Sequence, residues 1–247
     1  MSDAAPPADT RERVALDYPS AEIYLYVTTT VERKYRVNAC RKEPWTVEWL
    51  DRCVQAGDVL YDVGANVGAF TFIAAVGRGA RVIAFEPGHA TYSRLCENIQ
   101  LNGCGSAVLA FPLPLAEADG MTTLLYRSME VGQSRHSLKS GWHFGQGTKE
   151  GRVEQPMCTI ALDTARRVFG WPDPAHIKLD VDGAEVRVLT GAAETLRLPT
   201  LRSLMIEVRL DLWPEVREAV TSAGFQVTNT VDRGEAPMYA LFERVPA

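Results

Sequence analysis

The chain has 247 residues, enough for one large domain or two small ones at about 100–200 residues each. Its 46% hydrophobic and 23% charged residues are those of a soluble globular protein, and a net charge of -5 argues against a broad nucleic-acid-binding face, which needs clustered Lys and Arg. The five cysteines (Cys40, Cys53, Cys96, Cys104 and Cys158) are odd in number and contain no CxxC pair, so neither a disulfide framework nor a zinc site is expected, and reduced thiols in a cytoplasm fit best.

Residues 1–11 are small, Pro-rich and charged; they read as a disordered tail and lack the apolar core of a signal peptide. Residues 12–56 read as an N-terminal extension. Its run IYLYVTTTVERKYRV, over 23–37, is rich in β-branched and aromatic residues and predicts a strand or a hairpin. Pro44, with Trp45, Trp49, Leu50 and Cys53 at helical spacing after it, predicts a helix that Gly57 ends.

From residue 57 the pattern alternates. Apolar strands are expected over 59–63, 81–85, 108–111, 177–181 and 204–208, and helices over 69–76, 91–102, 185–196 and 215–223. Strands at 225–230 and 239–244 close the chain with no helix between them, so they should pair antiparallel. Strands separated by helices imply a parallel sheet covered on both faces. The expectation for 57–247 is therefore an α/β domain: a seven-stranded, mostly parallel sheet with helices on both faces and an antiparallel C-terminal edge strand. Between 111 and 177 the alternation fails, and the Gly-, Ser- and base-rich stretch 127–151 reads as a substrate loop. No apolar run reaches ~18 residues, so no membrane span is expected.

The chemistry-bearing residues sit at strand ends. Asp62, Gly64, Asn66 and Gly68 form a glycine turn between a strand and a helix, where the backbone can approach a ligand closely and helical N–H groups are unpaired. Glu86 ends the next strand 22 positions after Gly64, a spacing that suits hydrogen bonds to both hydroxyls of a ribose. The turn reads GxNxG, so the GxGxxG of a dinucleotide site cannot be laid over it. Asp62 would sit badly against a pyrophosphate but well against the ammonium of a methionine moiety, which favours S-adenosyl-L-methionine as the cofactor. A third block, Lys178-Leu-Asp180-Val-Asp182-Gly183-Ala-Glu185, places two acids with period 2 at a strand end, facing one side. Glu185 is also a natural helix-opening acid.

DVGANVGAFT, FEPGHATYSRLCENIQLN, the ALD at 161–163, IKLDVDGAEVRVLTGA and LMIEV together resemble the FkbM-type methyltransferases over residues 55–210 or so. The resemblance implies a class I (Rossmann-like) methyltransferase fold, S-adenosyl-L-methionine as donor, and usually O-methylation of a hydroxyl on a sugar, polyketide or other natural product. Where the family often has Glu in its DVEG block this chain has Asp182, which keeps the charge on a shorter arm.

A hydroxyl acceptor needs help losing its proton. Asp180 is the preferred proton acceptor or orienting acid, Asp182 supports it, and His136 or His143 in the loop could shuttle a proton. His89 reads as a helix cap, and His176 only flanks a strand. Asp180 and Asp182 could give a divalent cation two oxygen ligands, but with no third ligand evident no metal is expected. The expected partner is a small-molecule or glycan acceptor, with no nucleic acid and no membrane; a homodimer is possible, although no heptad specifies one. Two alternatives stay open at this level: a nucleotide-cofactor oxidoreductase with an atypical glycine turn, and a non-catalytic S-adenosylmethionine-binding module.

Overall fold

The computed structural model describes residues 11–134, 136–140, 153–234 and 237–245, so residues 1–10 of the expected tail lie outside the described part. β1 (Glu12–Ala15) and β2 (Tyr24–Val27) pair as an antiparallel ribbon. The strand expected over 23–37 thus stops early, and Glu32–Arg36 coils into a π-helical turn. The cause is Glu32, which folds back to accept the backbone N–H groups of Thr28 and Thr29 at 2.9 and 3.0 Å and pairs with Arg94 in the interior. A short helix α1 (Ala39–Lys42) leads into α2 (Pro44–Cys53), which starts on the proline whose missing N–H costs a helix nothing there, and which buries Trp49 and Leu50.

The main sheet follows: β3 (Val59–Val63), α3 (Ala69–Phe72), β4 (Arg81–Phe85), α4 (His89–Leu101) and β5 (Val108–Phe111). After an insertion come α5 (Leu162–Phe169), β9 (His176–Leu179), α6 (Glu185–Thr190), β10 (Ser203–Val208), α7 (Trp213–Thr221), β11 (Phe225–Val231) and β12 (Met238–Arg244). The strand order is β11-β12-β10-β9-β3-β4-β5, with six strands running one way and β12 reversed against both neighbours. The C-terminal strand is antiparallel, as expected, but it lies one place inside the edge. It slots between β10 and β11, so β11 is the edge.

Strands buried on both faces read as continuous apolar runs, and alternate residues feed separate cores. Leu60, Val82 and Ala84 pack with α2, α3, α4 and the N-terminal ribbon. Tyr61, Val63, Ile83 and Phe85 pack with α5, α6 and α7 on the other face. At the amino ends of the strands, His176 is buried against Ser203 (2.7 Å) and Asp58 (3.3 Å), far from any chemistry. Burial and the neighbouring Arg202 push its imidazole down to about 4.

The stretch where the alternation fails is not one loop. It holds β6 (Gly120–Tyr126), β7 (Ser137–Ser140) and β8 (Val153–Thr159), a second antiparallel sheet ordered β7-β6-β8, together with α5. Its strands lie far apart in sequence and alternate only weakly in polarity, so periodicity missed them. Among the described residues no helix is long and apolar enough to cross a membrane.

Candidate active site

The chain winds from β3 to β4 and β5 in one direction and later from β9 to β10 in the other, so β3 and β9 meet at a topological switch point. Ligands of open α/β sheets bind outside the carboxyl ends of strands at such a point. A cleft of about 720 Å³ opens there, and Gly64, Asn66, Glu86, Asp180, Asp182 and His136 all line it.

The glycine turn is built by sterics. Gly64 has φ +87°, and a Cβ on it would sit 1.8 Å from the Asp180 carbonyl oxygen; only glycine lets the ends of β3 and β9 approach this closely. Asn66 takes the left-handed conformation (φ 52°), with its side-chain oxygen accepting the Val67 N–H at 2.9 Å and its amide donating to the Gln133 carbonyl at 2.9 Å. Gly68 does not line the cleft. It opens α3 with φ +97°, where a Cβ would strike Phe72 and Leu95, so its part is to seat the helix on the core.

Asp62 does not line the cleft either. It is 1% exposed behind the turn, where it accepts the Thr71 hydroxyl at 2.6 Å and lies 3.6 Å from the Lys178 ammonium. The expectation that Asp62 meets a ligand ammonium thus concerns a residue behind the cleft lining, whose Oδ1 faces Lys178 but accepts no hydrogen bond among the described residues.

Glu86 is 6% exposed and accepts the backbone N–H groups of Asn66 (3.0 Å) and Gly88 (2.8 Å). Burial still pushes its carboxyl up to about 7. Gly88 precedes α4 and no side chain caps that helix, so His89 is not the cap; its backbone N–H goes to the Tyr126 hydroxyl.

Asp180 follows β9, with its backbone N–H on the Val63 carbonyl and its carboxylate 3.4 Å from the Lys178 ammonium. Burial works against its charge, but Lys178 and a hydrogen bond from Glu207 outweigh it and hold the carboxyl below its ordinary value. Lys178 is itself buried, and the carboxylates of Asp180 and Asp62 keep it protonated. Glu207, next to Asp180 on β10, takes the opposite shift: burial and the Asp180 charge push it up to about 10. Arg233 forms an ion pair with it at 3.6 Å. Of the two neighbouring carboxyls it is thus Glu207, not Asp180, that is pushed up. The sequence showed it only as the acid of LMIEV; its signal was a lone carboxylate near the carboxyl end of an apolar strand.

Asp182 leaves strand geometry with φ 55° and stands at the exposed lip of the cleft, so the simple period-2 argument does not describe it. Glu185 is buried and accepts the Gly183 N–H at 2.9 Å, a turn-closing role. Asp163 of the ALD block is also structural, accepting the N–H groups of Glu194 and Thr195 at 2.7 and 2.8 Å. The described part of the 127–151 stretch covers the cleft, with Gln133, Ser134, His136 and Leu138 in its lining. His136 packs edge-on to Tyr126, and its Nδ1 accepts the Arg127 N–H at 3.3 Å. Burial and the Arg36 charge hold its imidazole below 6.5, so it is neutral near pH 7. His143 lies outside the described residues. Among them no three His, Cys, Asp or Glu side chains gather as a metal site would require.

The switch-point cleft, the glycine turn and the mostly parallel seven-stranded sheet with reversed β12 define the class I, Rossmann-like methyltransferase fold. Solved structures agree on the fold: the magnesium protoporphyrin IX methyltransferase of Synechocystis PCC 6803 with bound SAM superposes at TM-score 0.51 (13% identity, 89% of this chain and 86% of that one). Methyltransferase FkbM from Methylobacillus flagellatus gives 0.50 (13% identity, 86% and 57%). The Methyltransferase FkbM domain matches residues 62–227, and the chain belongs to that methyltransferase family. It is 26% identical over 192 residues to the hexuronic acid methyltransferase AglP of Haloferax volcanii (77% of this chain, 72% of that one). It is 27% identical over 199 residues to methyltransferase sdnD of Sordaria araneosa (71% and 76%).

Proposed function

We propose that this methyltransferase uses S-adenosyl-L-methionine to O-methylate a hydroxyl of a small sugar-like acceptor, free or within a glycan. The observation that carries the reading is one cleft with the Gly64–Asn66 turn and Glu86 on one side and Asp180 on the other. The lining suits a nucleoside: Glu86 offers a carboxylate to ribose hydroxyls beside the Gly64–Asn66 turn. Bound there, the cofactor supplies a methyl group on a sulfonium for in-line displacement. The relative that acts on a hexuronic acid supports a sugar acceptor, and the net charge of -5 supports a partner other than nucleic acid.

The protein's part is positioning and proton handling. Asp180, kept anionic by Lys178, accepts the hydrogen bond of the acceptor hydroxyl. As the hydroxyl oxygen takes the methyl group its proton becomes strongly acidic, so a carboxylate of low pKa suffices to receive it. His136 has Nδ1 engaged with Arg127, which leaves its neutral ring a donor at Nε2, suited to hold an acceptor oxygen. Family membership sets aside the oxidoreductase alternative; the non-catalytic alternative is answered by turnover. The test is titration calorimetry with S-adenosylhomocysteine and with NADH, followed by transfer of labelled methyl to a panel of neutral and acidic sugars. Binding of NADH alone, or no binding of S-adenosylhomocysteine, overturns the reading.

A further inference from the structure

Among the described residues three cations line the cleft or the smaller recess of about 360 Å³ that continues from it behind the glycine turn: Arg36, Lys42 and Lys178. Two are neutralised by resident acids. Lys42 pairs with Glu43 at 2.6 Å, and Lys178 lies between Asp180 and Asp62 at 3.4 and 3.6 Å. Arg36 is different. It lines both spaces, is only half exposed, and donates Nε to the Gly132 carbonyl at 2.8 Å, but among the described residues it forms no ion pair. Its charge reaches Glu86, Asp180 and His136, lowering the pKa of each.

The position of Arg36 is fixed from outside the cleft. It ends the turn that the buried Glu32–Arg94 pair anchors to α4, and Gly132, which receives its Nε–H, belongs to the segment that Asn66 also holds through Gln133. A half-buried guanidinium held beside a ligand cleft with no direct ion pair among the described residues is a site for an anion, and its planar fork matches a carboxylate best.

We infer that Arg36 is the receptor for a ligand carboxylate in this cleft. The inference rests on the proposed function, which offers two sources of that group: the methionyl carboxylate of the cofactor, reaching past the Gly64 turn into the recess, or the carboxylate of an acidic sugar acceptor. Arg36 lies outside the family match at 62–227, so this specificity belongs to the N-terminal extension of the chain.

The test compares Arg36→Gln with the parent by calorimetry against three probes: S-adenosylhomocysteine, 5′-methylthioadenosine (which lacks the carboxylate) and, on protein loaded with S-adenosylhomocysteine, glucuronate. If the cofactor is the source, affinity for S-adenosylhomocysteine falls about tenfold or more while 5′-methylthioadenosine is unaffected, in line with loss of a charged hydrogen bond. If the acceptor is the source, both cofactor affinities hold and glucuronate binding is lost. Arg36→Lys, which keeps the charge without the fork, should fall between parent and Gln for the affected probe and guards against a folding artefact. No change with any probe, or equal loss for S-adenosylhomocysteine and 5′-methylthioadenosine, overturns the inference while leaving the methyltransferase reading intact. A parent that binds no S-adenosylhomocysteine overturns both.

Discussion

Asn66 donates its backbone N–H to Glu86 Oε2 at 3.0 Å, so the turn after β3 and the carboxylate that ends β4 form one unit. The other oxygen of Glu86 receives the Gly88 N–H. The carboxylate is thus fixed in place at the lining of the cleft before any ligand arrives.

Binding of S-adenosylhomocysteine should depend on pH through Glu86. A carboxyl pushed up to about 7 must lose its proton before it can accept ribose hydroxyls, so affinity should rise as pH rises from about 5 to 8. Glu86→Gln should bind about 1–3 kcal/mol more weakly at pH 8 and lose that pH dependence. Calorimetry at three pH values checks both, and a Gln variant with parental affinity at pH 8 removes Glu86 from the site.

Gly64→Ala should destabilise the fold by about 2–5 kcal/mol, combining the left-handed backbone with a Cβ forced onto a backbone carbonyl. The Asp180 oxygen at 1.8 Å belongs to the main chain and cannot swing away. Chemical denaturation measures it; a loss below 1 kcal/mol would mean that β3 and β9 can separate at little cost.

Asp180→Asn should cut turnover by roughly a hundredfold or more, the scale of general acid–base contributions, with S-adenosylhomocysteine affinity within a few-fold of the parent. Lys178 keeps Asp62 at 3.6 Å, so the variant should fold, and a melting curve confirms this. Turnover within a few-fold of the parent would point to His136 instead.

Glu207 gives a stability prediction of definite sign. Its carboxyl is raised from 4.5 to about 10, so between those values the folded state holds a proton that the unfolded chain has released, and stability falls as pH rises. Glu207→Gln carries the hydrogen permanently and escapes this loss. It should be nearly as stable as the parent at pH 4.5 and more stable at pH 8, gaining up to about 1.4 kcal/mol per pH unit. A difference independent of pH would show that Glu207 is ionised in the fold.

The sequence by itself determined the main sheet and the cofactor end of the cleft. Strands such as VLYDV and RVIAF are mostly apolar, interrupted only by Asp62 and the exposed Arg81, while Gly64 and Glu86 lie at strand ends where local spacing sets their geometry. Tertiary structure decided the rest. β12 pairs between β10 and β11 because strand order depends on contacts between distant segments. The β6, β7 and β8 sheet joins strands too far apart for periodicity to link them. Local spacing could not show that Lys178, 116 positions after Asp62, would be its neighbour. Glu207 showed only as a lone acid near the end of an apolar strand, and Arg36 carried no local signal. One gains its proton from burial beside Asp180, and the other gains its place in the cleft from the ion pair between Glu32 and Arg94, and charge environments of this kind exist only once the chain has folded.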